Sequence, residues 1–154
     1  MEEVEFGEIK DPDSGVVLYR GQIRNCMRHG KGKSFQLEGG WNDYEGEYHM
    51  DKRDGKGKMM NKEGLVIYEG NFKEGMMNGK GVWRGEEGFT YCGEMQKDKP
   101  NGKGIKLGRE YKIYDGIFVD GLYDGYGVLY KDGKMIYEGG FKEALRCGIG
   151  KEFD

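Results

Sequence analysis

The sequence runs to 154 residues, with 30 glycines, 2 prolines and a net charge of −3. So much glycine works against long helices, since each interior glycine costs a helix about 1 kcal/mol relative to alanine. The absence of a G-X-Y period excludes collagen, and recurring aromatics, 13% of the chain, exclude a low-complexity linker. The charged residues make up 34% but nearly cancel in sign, which excludes a phosphate-backbone binder, because nucleic-acid recognition needs a clear surplus of Lys and Arg.

The opening residues MEEVEFGEIKD are acidic and lack the apolar run of a signal peptide. No stretch approaches the roughly 18 apolar residues of a membrane span. Three widely spaced cysteines, Cys26, Cys92 and Cys147, include no C-x-x-C pair, so neither a disulfide framework nor a zinc site is expected. A soluble chain in a reducing, cytoplasmic compartment is the expectation.

Taken in chain order, residues 1–18 read as an N-terminal half-repeat cap, since Gly15-Val16-Val17-Leu18-Tyr19 parallels Gly64-Leu65-Val66-Ile67-Tyr68. Six repeats follow, at 19–43, 44–67, 68–90, 91–113, 114–136 and 137–154. Each opens on Y-x-G, and nine positions after that glycine comes G-x-G. The tyrosines are Tyr19, Tyr44, Tyr68, Tyr91, Tyr114 and Tyr137, and the nine-residue gap holds in all six copies. Spacings of 25, 24, 23, 23 and 23 residues between tyrosines put the slack in the connections between repeats.

Each unit reads as a β-hairpin. Tyr68, Gly70 and Phe72 alternate with Glu69, Asn71 and Lys73, the period of a half-buried strand. Glu74-Gly75-Met76-Met77-Asn78 supplies the turn, and Gly79, Gly81 and Trp83 share one face of the returning strand. A turn centred between Gly75 and Met76 sets Phe72 opposite Gly79 and Gly70 opposite Gly81, so that a ring can lie over bare glycine backbone. The implied fold is all-β: an elongated, single-layer, twisted antiparallel sheet of about six tandem hairpins in which each repeat touches only its neighbours.

The unit Tyr68-Glu69-Gly70-Asn71-Phe72-Lys73-Glu74-Gly75…Asn78-Gly79-Lys80-Gly81 resembles the MORN repeat (membrane occupation and recognition nexus), and the likeness spans roughly residues 5 to 150. Ile23 and Met95 stand where Phe72 does, and the last two G-x-G copies lack the central lysine. The resemblance implies proteins of cytoskeletal, ciliary, cortical and membrane-contact assemblies, which bind partner segments along the sheet or dimerise end to end.

No catalytic constellation, cofactor motif or metal site is expected. His29 and His49 read as solvated turn residues without a matched partner. Asp51, Asp54, Glu74, Asp98, Asp120 and Asp124 recur at turns, where turn chemistry explains them. Gly75 to Gly79-Lys80 misses the phosphate-loop spacing. Lys31, Lys56, Lys80 and Lys103, with Glu45, Glu69, Asp115 and Glu138, read as a cross-strand charge ladder rather than a track for anionic lipid, because carboxylates interleave. The rings of Tyr44, Tyr48, Tyr68, Phe72, Tyr91, Tyr114, Phe118, Tyr137 and Phe141 fall on one face, and this stripe is the candidate groove for a helical or extended segment of a partner protein. The expected function is a non-enzymatic adaptor in a cytoskeletal, ciliary or other large assembly. A peripheral membrane module and a structural spacer are the alternatives.

Overall fold

The computed structural model describes residues 3–154. The fold is all-β, with thirteen strands: β1 (Glu5–Lys10), β2 (Val17–Arg24), β3 (Met27–Phe35), β4 (Asn42–His49), β5 (Lys52–Met60), β6 (Val66–Lys73), β7 (Met76–Arg84), β8 (Thr90–Gln96), β9 (Lys99–Leu107), β10 (Lys112–Val119), β11 (Leu122–Lys131), β12 (Lys134–Lys142) and β13 (Leu145–Glu152). A single 3₁₀ turn at Glu86–Gly88 is the one helical element among the described residues. The chain divides into two compact units between Met76 and Met77. In each, consecutive strands pair antiparallel in chain order.

The turns inside the repeats are two-residue turns with both central residues at positive φ, such as Asn25-Cys26, Met50-Asp51, Lys97-Asp98 and Glu143-Ala144. Such turns match the right-handed twist of the flanking strands. The turn expected over residues 74–78 is therefore shorter than the sequence implies: only Glu74-Gly75 turn, and Met76, Met77 and Asn78 already belong to β7. From the second repeat on, each turn also braces the hairpin before it. The Asp51 N–H donates to the Arg28 carbonyl at 3.0 Å, and Gly121 to Pro100 at 2.9 Å. The carboxylate of Asp51 returns the contact by accepting the Arg28 N–H at 2.8 Å, as that of Asp98 does for Met77. Asp54 and Asp124 lie within strands, where they accept the N–H of the following turns at Glu74 and Glu143.

The paired glycines obey the expected register, with Gly46 opposite Gly57 and Gly93 opposite Gly104. Beyond them a bulge intervenes. Tyr48 faces Arg53 within its own hairpin, and Phe118 faces Tyr123, so the Phe72-type residue does not face the first glycine of its own G-x-G. It faces that of the preceding repeat instead: Gly30 lies opposite Tyr48, Gly55 opposite Phe72 and Gly102 opposite Phe118. The first glycine is the bulge residue itself, at φ 101° in Gly102 and 110° in Gly125, a conformation that β-carbons oppose.

Candidate partner-binding site

The rings that the alternation places on one face form the core of each unit. Tyr19, Tyr44, Tyr68, Tyr91 and Tyr114 are at most 1% exposed, and Tyr137 is 5% exposed. Each lies across the paired glycines of its hairpin, where neither strand offers a side chain to hold it off. A β-carbon built on Gly104 would collide with the ring edge and hydroxyl of Tyr91. Each hydroxyl reaches past the glycine pair to donate to the carbonyl three residues on: Tyr19 to Gln22 at 2.7 Å, Tyr91 to Glu94 at 2.6 Å, Tyr114 to Ile117 at 3.0 Å. Tyr44, Tyr68 and Tyr137 repeat the bond to Glu47, Asn71 and Gly140. Burial pushes the Tyr19 and Tyr114 hydroxyls up to about 12 and raises that of Tyr44 as well, because the phenolate loses its water.

Tyr48, Phe72, Phe118 and Phe141 fill the gaps between these tyrosines edge to face. Phe72 stands 5.1 Å from both Tyr44 and Tyr68, and Phe118 stands 5.0 Å from Tyr91 and 5.1 Å from Tyr114. Such pairs contribute about 0.5–1.5 kcal/mol each beyond the area they bury. All nine rings named from the sequence therefore lie in these two columns, and their packing is intramolecular. Tyr19 belongs to the first column by the same period. Tyr123, stacked on Tyr114 at 3.9 Å and 7°, joins the second by lying opposite Phe118. Arg53 covers Tyr44 at 4.7 Å and pairs with Asp43 at 3.2 Å, an ion pair that Ser34 and Gln36 complete.

In the second unit the ring column opens into a hollow of about 270 Å³. Its floor is Tyr91 and Phe118. Its walls are Trp83, Phe89 and Pro100, and Asp98, Lys99, Lys106 and Asp120 stand at the rim. Residues 85–89, which pass through the 3₁₀ turn, bring Phe89 to its wall. Trp83 and Phe89 meet edge to face at 5.6 Å, and the Lys106 ammonium lies 4.5 Å above the Phe89 ring. The sequence reading set Trp83 on this face through its alternation with Gly79 and Gly81. Phe89 carried no comparable signal, because it follows an irregular turn.

The opposite face of the first unit is charged, but its ladder differs from the expected one. The ion pairs are Lys33–Glu45 at 3.4 Å and Lys58–Glu69 at 3.5 Å, formed by lysines just after G-x-G rather than at its centre. Lys31 and Lys56 line a separate hollow of about 460 Å³ with Phe6, Arg20, Glu45 and Glu47. His29 and His49 lie in β3 and at the end of β4 rather than in turns, and they face each other. Cys26, Cys92 and Cys147 are free thiols. Among the described residues no three His, Cys, Asp or Glu side chains converge to hold a metal, and no helix is long and apolar enough to cross a membrane.

Fold and site together define a tandem β-hairpin repeat protein. The MORN-repeat family profile matches residues 19–34, 44–65, 68–89, 91–109, 114–135 and 137–153, and the chain belongs to that family, whose repeats generally mediate protein and membrane interactions. No curated protein sequence matches the chain.

Proposed function

We propose that this chain is a non-enzymatic adaptor that holds a segment of a partner protein on the ring-bearing face of its second unit, within a cytoskeletal, ciliary or other large cytoplasmic assembly. The observation that carries the reading is the hollow walled by Trp83, Phe89 and Pro100 over Tyr91 and Phe118. Large aromatic side chains around a concavity are the usual anchors of protein interfaces. The charged rim of both signs supplies orientation rather than a field for one polyanion. Of the nine ring residues, Tyr91 and Phe118 thus support a partner from beneath, and the others hold the sheet that presents it.

A membrane-associated role draws on the first unit, where Arg20, Lys31, Lys33 and Lys56 surround the larger hollow. Glu45 and Glu47 interrupt that cluster, which weakens attraction to anionic lipid, so protein binding ranks first. The test starts from affinity capture of the partner with identification by mass spectrometry, followed by calorimetry on the purified pair. Trp83→Ala should weaken binding by about 1–3 kcal/mol, while Lys80→Ala with Lys103→Ala should change it little. Normal binding by a folded Trp83 variant, with loss in the lysine pair, would move the site to the charged face. Sedimentation with anionic vesicles that persists above about 0.15 M salt would instead favour the membrane role.

A further inference from the structure

We propose that His29 and His49, together with the thioethers of Met27 and Met50, form a binding site for monovalent copper on the first unit. Two residues separated widely in sequence meet because the β3–β4 ladder runs from Ser34 opposite Tyr44 to Gly30 opposite Tyr48, and one step further brings His29 opposite His49. Their ring centroids lie 5.3 Å apart with the planes tilted by 51°. Two imidazoles fixed side by side on neighbouring strands can share one ion at about 2 Å from each nitrogen after a small side-chain rotation, and the sheet has already met the entropic cost of bringing them together. Among the described residues neither imidazole makes a hydrogen bond or an ion pair that would have to be given up.

The surroundings select the metal. The two histidines open onto a hollow of about 190 Å³ whose other lining residues are Arg24, Asn25, Met27 and Met50. Zinc prefers four nitrogen, thiolate or carboxylate donors, and among the described residues no third such side chain converges here. The remaining donors at hand are soft sulfur atoms, which favour Cu⁺. Met50 is 59% exposed in its turn, so its thioether can swing onto the ion without unpacking the core.

The full chain is titrated anaerobically with Cu⁺ against bathocuproine disulfonate, and Zn²⁺ is titrated separately. The expected result is one bound Cu⁺ per chain. His29→Gln with His49→Gln should weaken it by about 100-fold, and Met27→Leu with Met50→Leu by about tenfold while leaving Zn²⁺ affinity unchanged, scaled on what outer-shell changes alone do to metal sites. Replacing Cys26, Cys92 and Cys147 by serine should leave Cu⁺ binding intact. All four histidine and methionine positions lie on strand ends or turns at the surface, and circular dichroism verifies the fold of each variant. Full Cu⁺ affinity in the folded histidine variant, loss of binding in the serine variant, or Zn²⁺ binding tighter than Cu⁺ with no effect of the methionines would each overturn the proposal.

Discussion

The two glycines of each G-x-G serve different physical ends. In the fourth repeat Gly102 sits at φ 101° in the bulge, with the Glu94 carboxylate where a β-carbon would go. Gly104 has an ordinary backbone and no room, because the Tyr91 ring occupies the space. Gly75, in a turn at φ 88°, has nothing within 4 Å of its notional β-carbon. Gly104→Ala should therefore cost about 3 kcal/mol, by forcing a buried ring off its backbone. Gly75→Ala should cost only the left-handed penalty of about 1 kcal/mol. Urea unfolding of both variants tests the difference, and equal losses would mean that the ring does not rest on the glycine pair.

At the scale of one hairpin, the turn and the bulge act together. The two-residue turn fixes the register near the tip, and the bulge around the first glycine shifts it by two residues before the tyrosine closes over the glycine pair. The sixth repeat tests the turn, because Ala144 occupies at φ 67° the place that Gly75 and Gly121 hold in the third and fifth repeats. Ala144→Gly should stabilise the protein by about 1 kcal/mol, since it removes a left-handed β-carbon at a site whose N–H still bonds to the Tyr123 carbonyl at 2.8 Å. The gain should appear as a rise of a few degrees in Tm. A fall would mean that the glycine's greater freedom in the unfolded chain outweighs the strain.

For the whole molecule, stability at high pH depends on the buried hydroxyls. Tyr19 and Tyr114 ionise at about 12 in the folded chain, against about 10 for exposed tyrosine. Their folded values are raised, so their contribution is fully present below about pH 10 and is lost as pH climbs through about 12. Each contributes on the order of 2–3 kcal/mol by this linkage. In a variant with the accessible Tyr111, Tyr126 and Tyr130 replaced by phenylalanine, absorbance at the tyrosinate band and the β-sheet circular dichroism signal should change together between these limits. Tyrosinate forming near pH 10 with the β signal intact would show that the rings are not sealed.

The period of Y-x-G and G-x-G by itself determined the class of fold, the hairpin unit, the family and the face on which the rings lie. Those properties are local: strand alternation has period two, and glycine at a fixed place marks close approach wherever it recurs. The tertiary structure alone decided which glycine a ring covers, since a bulge of two extra residues around Gly55 or Gly102 moves the Phe72-type residue from its own hairpin to the preceding one. It decided that nine aromatic residues pack inward in the two units, and that the accessible concavity forms where Phe89 meets Trp83 after an irregular turn. It also brought His29 to His49. A sequence lists neighbours along the chain, whereas cross-strand meetings depend on hydrogen-bond register summed over two strands and a turn, and extra residues in one strand redirect every contact beyond them.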